Sequence, residues 1–479
     1  MATSSSNISR KAMKAMGLFG GVQVVGILCS IIRTKLVALW IGPVGVGLFG
    51  LYNQALDMIN TATNLSIRQS SVRDVSQAVQ RNDVSLISRI ITVVRRWSLW
   101  LGLGGTLLTM ALAPLLSQIT FGDTAHVWGF VALSAGVLLM AITNGEYAVF
   151  QGLAKLRKLA RVTMFGTLSG LAISIPLFYY LREDSVLPSI IAYAASCAFF
   201  AILFRNKDYA PAQLTAKQTA VLGKDFVKLG IYMTVGNFVT MLAAYVFNAW
   251  LNQHSGTGEV GFYQAGYTLV NKYTGLVLAA LGMEYYPRLA RVAQSKMRLK
   301  AFVSQEINIA MMVMMPVVAL FILFRGEIVD ILYTGEFRVI LSFIALGMAG
   351  TVLRTLSWCI AFVILAKGAG KVYLVTETLS AITGLILNIV CYSRWGLTGL
   401  GISYVAWYFI YTLIVTVVYY RVFGLRLAKG CLLSIAATLA VAALMVVLVE
   451  SGWWIMGLVL TVLSAAAALW QVRKMWQRR

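Results

Sequence analysis

From residue 17 onward the chain is a succession of apolar runs of about twenty residues or more, separated by short stretches that hold almost all of its positive charge. A run of that length matches the ~30 Å hydrocarbon core of a bilayer. Unbroken apolar runs satisfy their backbone there as helices. Runs near residues 17–41, 44–66, 91–118, 127–150, 162–181 and 187–204 make a first group of six. After a polar, proline-containing connection come six more, near 228–251, 260–286, 305–324, 339–366, 372–393 and 398–420, and a last pair near 431–449 and 454–472. The expected class is an all-α polytopic membrane protein with about fourteen spans: a first lobe over 1–204, a connection over 205–227, a second lobe over 228–420 and a C-terminal helix pair over 421–479.

Composition decides what the charge means. Only 12% of the 479 residues are charged and 59% are hydrophobic, where a soluble domain has roughly 25% charged residues. A net charge of +23 gathered on a soluble surface would point to nucleic acid; here the Lys and Arg sit between membrane runs. With the N-terminus inside, 32 of the 40 Lys and Arg fall in inner segments. Arg182, Arg325, Arg338 and Arg394 fall in outer turns, and Arg33, Lys35, Lys272 and Arg354 within the membrane. This is the bias that sets orientation in membranes, so both termini are expected in the cytoplasm. The stretch through Met16 has the basic start of a signal peptide, but no small-residue cleavage site precedes Arg33, so the first run is expected to be retained. Outer turns are too short for a folded catalytic domain, and several are acidic. The inner loops at 69–90 and 288–300 are long enough for amphipathic helices lying on the inner leaflet, though a solvated basic face is the plainer reading of both.

The most informative stretch is 17–64. An ionisable side chain at mid-membrane costs at least ~2.5 kcal/mol on insertion scales, so it is kept where it faces a bundle interior or a watery path. Gln23, Gly26, Ser30 and Arg33 share one helical face of the first run, and Asn53, Asp57, Asn60 and Asn64 share one of the second. The sharp Gly42-Pro43 break lies between them. Aligning Val46-Gly47-Leu48-Phe49 with Val260-Gly261-Phe262-Tyr263 sets Asn53, Asp57 and Asn60 against Tyr267, Asn271 and Thr274. This reads as an internal repeat.

Other motifs have plainer readings. Gly45-Val46-Gly47-Leu48-Phe49-Gly50 fits G-x-G-x-x-G, but a dinucleotide site needs a preceding strand and a βαβ unit. It reads as packing glycine, as do Gly102, Gly104 and Gly105. Lys367-Gly368-Ala369-Gly370-Lys371 lacks the spacing and the Ser or Thr of a phosphate loop. The five cysteines lie in or beside apolar runs without paired spacing. His126 and His254 fall in outer turns, so neither a metal centre nor a bound cofactor is expected.

The membrane charges remain. Arg33 and Lys35 lie ~13 Å and ~10 Å from Gly42 at 1.5 Å per residue, within reach of snorkelling. Lys272 and Arg354 lie closer to mid-depth. Against these four cations stand two acids, Asp57 and Glu377, which either bind a coupling proton or sodium ion or pair with Lys272 or Arg354. The interior is expected to be positive overall, with Arg33, Lys35, Lys272 and Arg354 its binding cations and Gln23, Ser30, Asn53, Asn60, Asn64 and Asn271 its polar lining. Glu146 and Glu284 are expected at the cytoplasmic interface.

Residues Thr34 to Leu48, with Glu259-Val260-Gly261-Phe262-Tyr263-Gln264 and Tyr286-Pro287-Arg288-Leu289-Ala290 in the second lobe, resemble the Wzx O-antigen and lipid III flippases. Those belong to the multidrug/oligosaccharidyl-lipid/polysaccharide (MOP) exporter superfamily. The resemblance implies two six-helix lobes in a V around a cavity. It further implies that alternating access carries an undecaprenyl-diphosphate-linked oligosaccharide to the outer leaflet of a bacterial cytoplasmic membrane. Partners implied are that lipid-linked glycan, membrane lipids and the polysaccharide polymerase machinery, with an ion gradient in place of a cofactor. Wzx flippases usually have twelve spans; the C-terminal pair departs from that and matches the lipid II flippases in number. Two other classes stand beside this one. A small-molecule exporter of organic cations would favour an acid-lined cavity, and a membrane polymerase would need an acid or base with a sizeable outer loop.

Overall fold

The computed structural model describes residues 21, 22 and 24–477. Among them there is no strand; the chain is a series of helices joined by short turns. We label them α1 (24–40), α2 (Gly42–Asn64), α3 (Ile67–Gln80), α4 (Val84–Phe121), α5 (Val127–Gly152), α6 (Leu156–Leu181), α7 (Val186–Leu203), α8 (Ala216–Ser255), α9 (Thr257–Val292), α10 (Lys296–Leu323), α11 (Arg325–Leu332), α12 (Leu341–Ala366), α13 (Gly370–Arg421), α14 (Lys429–Glu450) and α15 (Trp454–Gln477). Over the described residues each expected span falls on a helix, and α13 carries two, broken at Gly396 (φ 56°). By length and composition, seven helical stretches among the described residues qualify to cross a membrane. α2 is not one of them, since Asn53, Gln54, Asp57, Asn60 and Asn64 lower its apolarity.

Local signals set the ends. Gly42 takes φ 80°, a conformation natural to glycine, and Pro43 opens α2, where its missing N–H is of no consequence. The Asp83 carboxylate caps α4 by accepting from the Leu86 N–H at 3.1 Å. α4 thus starts seven residues before the expected span and runs for about 57 Å at 1.5 Å per residue, beyond any hydrocarbon core. A reciprocal box between Thr215 and Gln218 starts α8 inside what reads in the sequence as connection. The two long inner loops fare differently. α3 forms, but its apolar face, Ile67, Val75 and Ala78, is buried against protein rather than lipid. At 288–300 there is no separate helix, because α9 runs to Val292 and α10 starts at Lys296.

The chain divides into two compact units, 1–260 and 261–479. In the first, Leu56 and Ile59 of α2, Leu116 of α4, Phe130 and Leu133 of α5, Ile190 of α7 and Tyr245 of α8 form one core. α8, expected to open the second lobe, packs here: Asn252 donates to the Thr120 carbonyl at 2.9 Å and Gln253 to the Gln118 carbonyl at 3.0 Å. Gly102 and Gly105 hold helices close, since an added Cβ would lie 2.9 Å from Ala141 and 2.7 Å from Thr63; Gly104 faces open space, unlike the sequence expectation.

The inner ends of α4 and α5 hold a cluster the sequence reading placed at the interface. Glu146 is 4% exposed. Arg95 grips it at 2.8 and 3.0 Å, and Arg205 reaches it at 3.0 Å. The same Arg95 donates to the Asn206 carbonyl at 3.2 Å, and Lys155 pairs with Asp208. That ammonium holds the Asp208 carboxyl below the usual carboxylate range. A buried acid is stable only when its lone pairs are met, and here meeting them ties down the connection after α7.

In the second unit α12 is the central helix, packed on α10, α13 and α14, with Phe343, Met348, Val352, Ile360 and Ile364 buried along it. α14 and α15 pack on α10. Two outer arginines act as ties in this unit, Arg325 to Glu450 at 2.6 Å and Arg338 to Asp330 at 2.5 Å.

Candidate functional site

The turn between α1 and α2 places the site. A Cβ at Gly45 would come within 2.4 Å of the side chain of Ile41 in the turn and would touch Val37 of α1 at 3.4 Å. With the two helices pinned at that end, Arg33 and the Asn53–Asp57 face of α2 line one cavity of about 290 Å³. α5 adds Thr143, Asn144 and Tyr147, α6 adds Thr163 and Thr167, and α7 adds Tyr193 and Cys197.

Arg33 lies between two rings. Its guanidinium carbon is 4.8 Å from the centroid of Phe49 and 4.6 Å from that of Tyr193. Such stacking holds a cation by its faces and leaves its edge of N–H donors for something else. Its buried Nε has no hydrogen-bond partner, an arrangement that costs ~1–3 kcal/mol or more in a charged donor. Asp57 is exposed to the cavity, and among the described residues of this unit no cation stands within 4 Å of it. The cavity thus holds one cation and one acid, so the surplus of positive charge expected for the interior does not reside here.

The other residues expected at the site distribute as follows. Asn53 donates to the Phe49 carbonyl at 2.7 Å, which orients it along α2. Asn60 and Asn64 lie farther along α2, 3.4 Å from each other, and do not line the cavity. Ser30 lies one turn from Arg33, its carbonyl bound by Thr34 at 2.9 Å, and Lys35 is half-buried on the same helix. Gln23 lies outside the described residues.

In the second unit the face of α9 holding Asn271 and Thr274 meets a different arginine. Arg354 of α12 donates to the Asn271 carbonyl at 3.3 Å and to the Thr274 hydroxyl at 3.2 Å. Tyr404 donates to the Asn271 side chain at 3.0 Å. Glu377 accepts from the Tyr411 hydroxyl, and the Glu377–Arg354 pair that the sequence left open does not form. Lys272 is exposed.

Reading only charges missed most of the cavity wall. The signal was present as polar residues at helical spacing inside apolar runs: Asn144 with Tyr147, Thr163 with Thr167, Tyr193 with Cys197.

With this geometry in place, known proteins give the comparison. The sequence pattern of the polysaccharide biosynthesis protein family matches residues 75–342. The lipid III flippases of Escherichia coli (strain K12) and Shigella flexneri are each 22% identical over 395 residues, covering 79% of this chain and 90% of theirs. Among solved structures, the lipid II flippase MurJ in its inward closed conformation aligns with a TM-score of 0.69 at 12% identity, over 98% of this chain and 100% of that one. A multidrug resistance MATE family transporter of the MOP superfamily, inward-facing, aligns with a TM-score of 0.68 at 15% identity, over 86% of this chain and 95% of its own. The fold is that of MOP superfamily transporters, and the alignment with the lipid II flippase runs through the C-terminal helices.

Proposed function

The chain belongs to the polysaccharide biosynthesis protein family, and from that premise we propose that it is a flippase. It carries an undecaprenyl-diphosphate-linked oligosaccharide, an O-antigen repeat or a related surface glycan, from the inner to the outer leaflet. The lipid tails stay in the bilayer while two six-helix lobes, one on either side of the connection at 205–227, rock around a site near the membrane midplane. The low-identity lipid III flippases support this reading.

The observation that carries it is Arg33, a cation stacked between Phe49 and Tyr193 with a buried N–H that no protein group meets. A guanidinium edge grips phosphate oxygens in bidentate fashion. The amide and hydroxyl groups beside it, Asn53, Asn144, Thr143 and Thr167, suit sugar hydroxyls. Lys35 and Lys272 supply further charge along the path while Arg354, bonded to α9, braces the second unit, and Asp57 or Glu377 couples the cycle to a proton or sodium gradient.

The test is transfer of lipid-linked oligosaccharide to the outer leaflet, normalised to inserted protein. A charged hydrogen bond contributes roughly 1.5–3 kcal/mol, so Arg33→Ala is expected to lose about tenfold to hundredfold at 1.4 kcal/mol per decade. Arg33→Lys keeps charge without the fork and retains partial activity. Full activity in Arg33→Ala refutes the role. Orientation has its own test. Cysteines at Thr124, Glu183 and Ser255, all exposed, are expected to react with an impermeant thiol reagent in intact cells, and ones at Asn82 and Gln294 are not. Ser185, in the same outer turn as Glu183, is 0% exposed and is unsuited to the test. Labelling of Asn82 or Gln294 positions with the outer set protected overturns the topology.

A further inference from the structure

A second cavity, of about 490 Å³, opens in the first unit away from Arg33, where faces of α3, α4 and α8 converge. α3 docks by Val75 and Ala78, which leaves Arg73, Gln77 and Arg81, spaced four residues apart, as an exposed stripe along its outer side. α4 brings an apolar stripe at matching spacing, Leu86, Ile90 and Val93, and α8 brings Leu222 and Phe226. Leu222 is 49% exposed, so the floor is not closed by protein. The rim is held in place: the Arg81 N–H bonds the Gln77 carbonyl at 3.2 Å, Asn82 turns the chain at φ 53°, and Asp83 caps α4.

An apolar floor beneath two guanidinium groups is the shape of a phospholipid's own division into chain and headgroup. We propose that this cavity binds an anionic glycerophospholipid. Its phosphate is taken by Arg73 and Arg81, and the upper part of an acyl chain lies along Leu86, Ile90 and Leu222. Among the described residues that line the cavity Asp74 is the one acid, so two cations against one leave a positive mouth for an anionic lipid. The leaflet is the inner one on the topology expected from the basic residues. The site is separate from Arg33, and its occupant holds the α3–α4 turn against the inner end of α8.

The full-length protein purified in mild detergent is titrated with phosphatidylglycerol, and its thermal midpoint is followed. Phosphatidylcholine serves as the zwitterionic probe. Phosphatidylglycerol is expected to raise the midpoint saturably, and phosphatidylcholine is not. The double substitution R73Q/R81Q is expected to weaken the response tenfold or more, since each arginine gives a charge-assisted hydrogen bond to phosphate. Q77E, at an exposed residue between the two arginines, keeps both and weakens binding by repulsion, so the inference does not depend on the double variant folding well. R298Q/K300Q, removing two exposed cations elsewhere, leaves the response unchanged. Equal response to both lipids, undiminished binding in R73Q/R81Q and Q77E, or an equal loss in R298Q/K300Q overturns the site. None of these outcomes bears on flipping through Arg33.

Discussion

Arg33 and Arg354 both sit within the membrane-spanning part of this chain, each faced by the polar side of a helix, and they are treated in opposite ways. In the first unit Arg33 is held by ring faces, with Asn53 and Asp57 of α2 across a cavity and a buried Nε that has no partner. In the second unit Arg354 donates from Nη1 to the Asn271 carbonyl and the Thr274 hydroxyl of α9, with Tyr404 bracing the Asn271 amide. A charge in a membrane therefore has two distinct uses. One whose hydrogen bonds are met by its own chain holds helices together, and one held only by its faces keeps its edge for a guest.

The largest effect expected from this difference is in transport. Arg33→Ala loses about tenfold to hundredfold while thermal stability holds or rises, because an unmet buried cation is removed along with its desolvation penalty. Arg354→Ala is expected to do the reverse. It removes the guanidinium's hydrogen bonds to the Asn271 carbonyl and the Thr274 hydroxyl, each contributing roughly 1.5–3 kcal/mol, and lowers the midpoint by several degrees at roughly 2–4 °C per kcal/mol. Melting curves and flipping rates on the same preparations decide; matching patterns for the two variants break the comparison.

A smaller effect is expected at the ring beneath Arg33. Tyr193→Leu keeps the volume apolar but removes a cation–π contact worth ~0.5–2 kcal/mol, so substrate grip falls by about twofold to thirtyfold. Tyr404→Phe in the second unit removes the hydroxyl that bonds the Asn271 side chain and faces Arg354, and is expected to leave flipping intact while costing about 1 kcal/mol of stability. Loss of flipping in Tyr404→Phe with stability unchanged means that Arg354 too serves the substrate.

The smallest change in rate is expected from Asp57→Asn, which keeps the shape of the cavity and removes its acid. In proteoliposomes with imposed gradients this variant is expected to flip at a rate that no longer responds to the gradient. If gradient dependence persists, Asp57 is not the coupling group, and Glu377, bonded to Tyr411, becomes the one to test.

The sequence alone determined the fold class, the helices and their approximate bounds, because a bilayer permits few solutions and each apolar run carries its own evidence. It also marked Arg33, Asn53 and Asp57 as neighbours, since residues on one helical face and a tight Gly42-Pro43 turn are local facts. It did not determine which partner each charge would take. Glu146 read as an interfacial acid and is the buried anchor for Arg95 and Arg205. Glu377 and Arg354 read as a possible pair, and each found a different partner. Tyr147 and Tyr193 carried no charge to draw notice, yet they line the cavity, and Tyr193 stacks on Arg33. Helical periodicity assigns a side chain to a face, but which faces meet is settled by packing across helices distant in sequence, where fit and satisfied hydrogen bonds select one arrangement.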